Sequence, residues 1–166
     1  MTKMHISRRH CRMLMLVLCV AALTACGLAK PMPPFDSFAH RSADGTVALY
    51  WNCSRPGAGA VRVEGWANNP YYPNPIQDLE VILYGVNAQG STVSQAKGSA
   101  QNYQIQTNEP SPFSVDLKTV GGEVRYDMVY QYWGGGDDGM GRRGGGGFGG
   151  ERQQNMARDV CVGLGQ

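Results

Sequence analysis

Asp78-Leu79-Glu80-Val81-Ile82-Leu83-Tyr84-Gly85-Val86 is almost continuously apolar from Leu79 onward. A short apolar run of this kind, closed by the turn Asn87-Ala88-Gln89-Gly90, reads as a central strand covered on both faces. Gly90 suits the positive φ that the turn needs. The stretches around it alternate. Val47, Leu49, Trp51 and Cys53 share one face of 46–53. Val61 and Val63 face one way in the next segment, Arg62 and Glu64 the other, and Gly65 is expected to mark a bulge that turns Trp66 inward. Phe113, Val115 and Leu117 point in while Ser114, Asp116 and Lys118 point out. Val124, Tyr126, Met128, Tyr130 and Tyr132 line one face of 123–133. Weaker strands are expected over 92–97 and 103–107, and a final strand over 153–162. Short alternating strands separated by turn signals predict an all-β fold, an antiparallel immunoglobulin-like β-sandwich spanning 46–166.

The N-terminus carries a different signal. Lys3, Arg8, Arg9 and Arg12 precede the apolar run 13–23, with no acid before Asp36. A charged start, a short apolar stretch and small residues at its end make a secretory signal; a membrane-spanning helix needs ~20 apolar residues. Leu23-Thr24-Ala25-Cys26 resembles the lipobox of bacterial lipoproteins. That resemblance implies cleavage after residue 25 and lipid attachment at Cys26, with two or three chains giving stable anchoring where one holds only marginally. It also implies a cell-envelope location. Gly27, in place of the aspartate that retains such proteins at the inner membrane, favours the outer membrane facing the periplasm in a Gram-negative cell. Residues 26–45, rich in Pro, Ser and Asp, read as a lipidated tether, in which His40 is a solvated linker residue.

The whole chain has a formal charge of +2; loss of the four basic residues before Cys26 leaves −2. Net charge therefore gives no support to a nucleic-acid partner. Of five cysteines, Cys11 and Cys19 leave with the signal, and Cys26 takes the lipid. Cys53 and Cys161 remain, and in an oxidising compartment a leftover pair reads as a disulfide. The alternative is two free buried thiols.

Val61-Arg62-Val63-Glu64-Gly65-Trp66-Ala67-Asn68-Asn69, Leu79 through Gly85 with Gly90, Pro110 through Leu117, and Tyr126-Asp127-Met128-Val129-Tyr130 resemble the FxLYD-type and related immunoglobulin-like modules of bacterial envelope proteins. Gly85 stands where those modules usually have Asp. The resemblance covers about half the chain, implies a sandwich and carries no catalytic residue.

Two segments invite functional readings. In Asn68-Asn69-Pro70-Tyr71-Tyr72-Pro73-Asn74-Pro75, Tyr71 and Tyr72 offer a contact surface, since tyrosine brings large area at low entropy cost; the alternative is that they cap the core. Residues 134–150 are mostly glycine, and ordering them costs ~1–2 kcal/mol per residue, so a disordered loop is expected. Arg142-Arg143-Gly144 and Phe148-Gly149 resemble an RNA-binding RGG segment, but two arginines beside Asp137 and Asp138 outside the cytoplasm argue against it. The same acids lack the alternating ligands of a calcium loop.

Taken as a sequence, the chain is expected to be a non-enzymatic, lipid-anchored binding or scaffolding module. It has no cofactor, a membrane contact through its lipid and an envelope protein as partner. A ligand-binding or secretion-accessory lipoprotein holding a peptide or glycan is the alternative, so a small-molecule ligand stays open. An enzyme would need acids such as Glu64, Asp78 and Glu80 brought together.

Overall fold

The computed structural model describes residues 34–70, 75–134, 152–162 and 164. Cys26, Tyr71, Tyr72 and the glycine-rich stretch beyond Gly134 lie outside these residues. The described chain forms a short 3₁₀ turn, Phe35–Ser37, and nine strands: β1 (His40–Ala43), β2 (Ala48–Ser54), β3 (Ala60–Asn68), β4 (Ile76–Asn87), β5 (Thr92–Ser99), β6 (Gln104–Ile105), β7 (Ser111–Lys118), β8 (Glu123–Trp133) and β9 (Arg152–Ala157). One sheet has the order β1-β2-β3-β7 and the other β5-β4-β8-β9, with β6 paired to β4. Every strand pairing is antiparallel. The fold is the immunoglobulin-like β-sandwich that the alternating pattern predicts.

Period-two burial builds the core. Leu49, Trp51, Val61, Val63, Val115 and Leu117 face inward from the first sheet, and Leu79, Val81, Leu83, Met128, Tyr130 and Tyr132 from the second. β4 is central, between β5 and β8, but its outward residues Ile82 and Tyr84 are only half-buried, so the strand is covered on one face and partly open on the other. Its ladder slips between Gln77 and Glu80, where Asp78 takes φ 51°, a left-handed value that aspartate tolerates. Gly90 has φ 80°, as the turn requires.

Gly65 makes no bulge. The β2–β3 and β3–β7 registers run unbroken through it, so Gly65 faces the core and Trp66 faces out. Its missing side chain makes room for a neighbour. A Cβ there would lie 2.8 Å from Trp51 Cβ and against the Tyr50 carbonyl oxygen. The backbone and Cβ of Trp51, its partner on β2, pack directly against that point.

The first sheet begins earlier than 46. His40–Ala43 pairs with Ala48–Trp51, so the stretch expected as a tether supplies an edge strand. His40 is half-buried and stacks on Trp51, with ring centroids 5.7 Å apart, and is not a solvated linker residue. The last strand ends at Ala157, so Cys161 lies in a turn beyond it rather than on a strand.

The two long sides of the sandwich close differently. On one, backbone continues from β5 into the first sheet: Ala100 bridges Phe113, and Gln101 N–H donates to the Pro112 carbonyl at 2.8 Å. On the other, edge strands β1 and β9 do not pair, and side chains span the gap. Asp44, in the β1–β2 turn, accepts from the Thr46 and Val47 amides with Oδ1, and from the Tyr132 hydroxyl and Asn155 amide with Oδ2. Burial raises the Tyr132 phenol above its ordinary value, keeping it protonated and able to donate. Asp44→Ala strands two backbone donors and two side-chain donors. It is expected to cost about 2–3 kcal/mol in urea unfolding, with Asp44→Asn costing less because an amide oxygen still accepts in the turn. Equal losses in the two variants would show that the turn bonds contribute nothing.

Below this hub, residues 158–162 fold back as a hook. Asp159 N–H donates to Asp127 Oδ1 at 3.0 Å and Val160 N–H to the Tyr126 carbonyl at 2.8 Å. The Trp51 indole N–H donates to the Val160 carbonyl at 2.9 Å. Val160 and Cys161 are buried, and Cys161 is disulfide-bonded to Cys53 across 108 residues of sequence.

Candidate interaction surface

The strand directions gather four connections at one end of the sandwich: the β1–β2 turn, the chain from β3 to β4, the chain from β5 to β7, and the link between β8 and β9. This is the end to which both stretches singled out in the sequence attach. Of the first, Asn68, Asn69, Pro70 and Pro75 are among the described residues. Asn69 is fully buried, donates its side-chain amide to the Ile105 carbonyl, and bridges Thr107. Of the second, Gly134 packs near the Pro75 carbonyl oxygen. The structure therefore brings the flanks of the two stretches together, while Tyr71 and Tyr72 themselves lie outside the described residues.

What the described residues present beside those flanks is a row on the outer face of the second sheet. Gln77 pairs with Trp133 on one side and Gln104 on the other, and Trp133 pairs with Arg152. Arg152, Trp133, Gln77 and Gln104 thus lie in line across β9, β8, β4 and β6. Trp133 is 41% exposed, and the Arg152 guanidinium lies 5.9 Å from its ring centroid, in cation–π range. Tyr103, next to Gln104, is 70% exposed. Composition gave no sign of this row, because it depends on the register of four strands.

The next row holds the charge. Glu80 accepts from Gln131 Nε2 at 2.6 Å and from Arg152 at 2.8 Å, and it is ion-paired to Lys97. The Lys97 hydrogen bond, then the Gln131 amide and the two cations, hold the Glu80 carboxyl below its ordinary range, against the opposing effect of burial. A depressed folded value means that the stabilisation is present above the unfolded value near ~4.3 and is lost as pH falls through the folded one. Wild type is therefore expected to lose stability more steeply than Glu80→Gln as pH falls below ~4, after leading it by about 1–2 kcal/mol at neutral pH. Urea midpoints measured across pH 3–7 check this; parallel curves would refute it.

The acids that an enzyme would need are not brought together. Glu64 lies on the outer face of the first sheet, and Glu80 on that of the second, with the core between them. Asp78 sits at the slip in β4. Among the described residues, no group of three or more His, Cys, Asp or Glu side chains is placed to hold a metal ion.

Fold and surface define a disulfide-stapled, immunoglobulin-like sandwich with an aromatic and amide-rich row at its loop end. No protein-family model matches the chain, and no curated protein matches it. Among solved structures it is similar to the GAE domain of GGA2p from Saccharomyces cerevisiae, at 10% identity and a TM-score of 0.43, over 73% of this chain and 96% of that one. The resemblance to FxLYD-type modules remains an expectation drawn from core positions.

Proposed function

We propose that the protein is a lipid-anchored envelope lipoprotein whose sandwich serves as a non-enzymatic binding or scaffolding module. The observation that carries this reading is the Cys53–Cys161 disulfide. Such bonds form and persist in oxidising compartments. It agrees with export directed by residues 1–25, and it leaves Cys26 as the remaining thiol for lipid. The membrane is reached through that lipid, at the outer membrane facing the periplasm in a Gram-negative cell. The partner is another envelope protein that docks on the loop end.

A second reading, an extended peptide or a glycan held at the same place, is favoured by the chemistry of the row. Trp133 supplies a flat apolar face, and Gln77, Gln104 and Arg152 supply amide and guanidinium hydrogen bonds around it.

Intact mass of the protein purified from membranes, with and without reduction, tests the first part. A lipid adduct on a chain beginning at Cys26 is expected, with two further thiols alkylated only after reduction; an unmodified chain beginning elsewhere would sink the anchor. A photo-crosslinker at position 103 then separates the two binding readings. Capture of one envelope protein that is lost in Trp133→Ala supports scaffolding. Saturable tryptophan quenching by a glycan or peptide, weakened ~30-fold in Trp133→Ala as for a loss of ~2 kcal/mol, supports the second.

A further inference from the structure

The outer face of the first sheet carries an apolar row that the sandwich core does not use. Arg41 pairs with Tyr50, Tyr50 with Trp66, and Trp66 with Pro112, so the four lie in line across β1, β2, β3 and β7. The 3₁₀ turn ahead of β1 folds two more rings onto it. Phe35 stacks on Tyr50 with centroids 4.1 Å apart, and Phe38 lies tilted at 6.4 Å. Phe35, Phe38, Tyr50 and Trp66 are all half-buried, so part of each ring is open to the outside. Exposed Arg41 and exposed Asp36 flank the rings. The next row is polar, with Asn52, Glu64 and Ser114 in register.

The chain enters the domain on this same face. Phe35 is nine residues after Cys26. At ~3.3–3.6 Å per residue, a fully stretched chain places it no more than ~32 Å from the lipidated residue. A linker this short, entering at this face, raises the effective concentration of the face at the bilayer. Rings with an apolar body and a polar tip, as in Tyr and Trp, partition to the headgroup level of a bilayer.

We infer that the outer face of the first sheet rests on the bilayer that holds the N-terminal lipid, with Phe35, Phe38, Tyr50 and Trp66 at the headgroup level. This rests on the lipid-anchor reading above. It fixes which way the domain faces: the Trp133 row, on the outer face of the opposite sheet, is turned away from the membrane and toward partners.

The test uses full-length lipidated protein reconstituted into phosphatidylethanolamine–phosphatidylglycerol vesicles, with and without bromine on the upper acyl chain, a short-range quencher of indole emission. Trp66 emission is obtained as the difference between wild type and Trp66→Phe. A large loss of that emission in brominated vesicles is expected, unchanged in a Trp133→Phe background. Unquenched Trp66 emission overturns the inference, and so does quenching that persists in Trp66→Phe or concentration-dependent self-association that shields Trp66 instead. The anchor is read separately, by intact mass and vesicle flotation of the same sample. A lipidated, floating protein with unquenched Trp66 refutes the orientation and leaves the anchor standing, whereas an unmodified Cys26 removes both.

Discussion

Replacement of both half-cystines, Cys53→Ala with Cys161→Ala, is expected to lower the stability of the domain by about 4 kcal/mol. The disulfide closes a loop with a sequence separation of 108 residues, and in the chain-entropy description a loop of ~100 residues is worth ~4.7 kcal/mol. The bond also holds the hook in place over the open side of the sandwich, where Val160 and Cys161 are buried and Trp51 donates to the Val160 carbonyl. Urea unfolding with tryptophan emission as the signal measures the change. With a slope of ~1–3 kcal/mol per molar, the midpoint should fall by ~2 M, and reduction of the wild type should reproduce it. A loss below ~1 kcal/mol would show that the hydrogen bonds of Asp127, Tyr126 and Trp51 hold the hook unaided.

The second large effect comes from a single methyl group. Gly65→Ala is expected to destabilise the domain by about 3 kcal/mol or more, in the range of severe overpacking. The added Cβ would meet the Tyr50 carbonyl oxygen, and lie 2.8 Å from Trp51 Cβ and 2.9 Å from Trp51 Cα. These atoms belong to the β2 backbone and its first side-chain carbon, which the pairing of β2 with β3 holds in place. Trp51→Ala in the same chain is therefore expected not to rescue the variant, since it removes the indole and leaves the backbone. Rescue would show that the ring, not the strand, is the obstacle. Gly90→Ala makes a useful comparison. It has open space around it but φ 80°, so only the left-handed strain applies and the loss should stay near ~1 kcal/mol.

Most of the sandwich was readable because alternation reports burial directly. The inward faces of β2, β3 and β7 follow the apolar residues of the sequence, and β8 does so from Tyr126 onward; only Val124, at its start, is exposed. The cysteine pair was readable from compartment and elimination. What escaped lacked an apolar signature. β1 is four residues long and reads His-Arg-Ser-Ala; it is a strand because β2 offers it a free edge, a fact of tertiary structure. Asp44-Gly45 falls in the stretch read as a tether, and nothing local shows that Asp44 caps the β1–β2 turn and also reaches Tyr132 and Asn155, 88 and 111 residues away. Gly65 is ambiguous in sequence, because a bulge and a close approach of a neighbouring strand both call for glycine, and only the unbroken register decides. The Trp133 row and the Glu80 network are products of register as well. Lys97, Gln131 and Arg152 come from three strands that meet Glu80 only once β4 is centred between β5 and β8 and β9 has joined the sheet.

The covalent bond between Cys53 and Cys161 makes a ring of most of the described fold, from β2 through β9. A protease that cuts the backbone once anywhere inside that ring, the glycine-rich stretch included, produces two fragments that remain one molecule. After such a nick, β9 and the hook stay tied to β2, while everything from β2 to the cut stays continuous with the N-terminal segment. The nicked protein should run as a single band without reductant and as two with it.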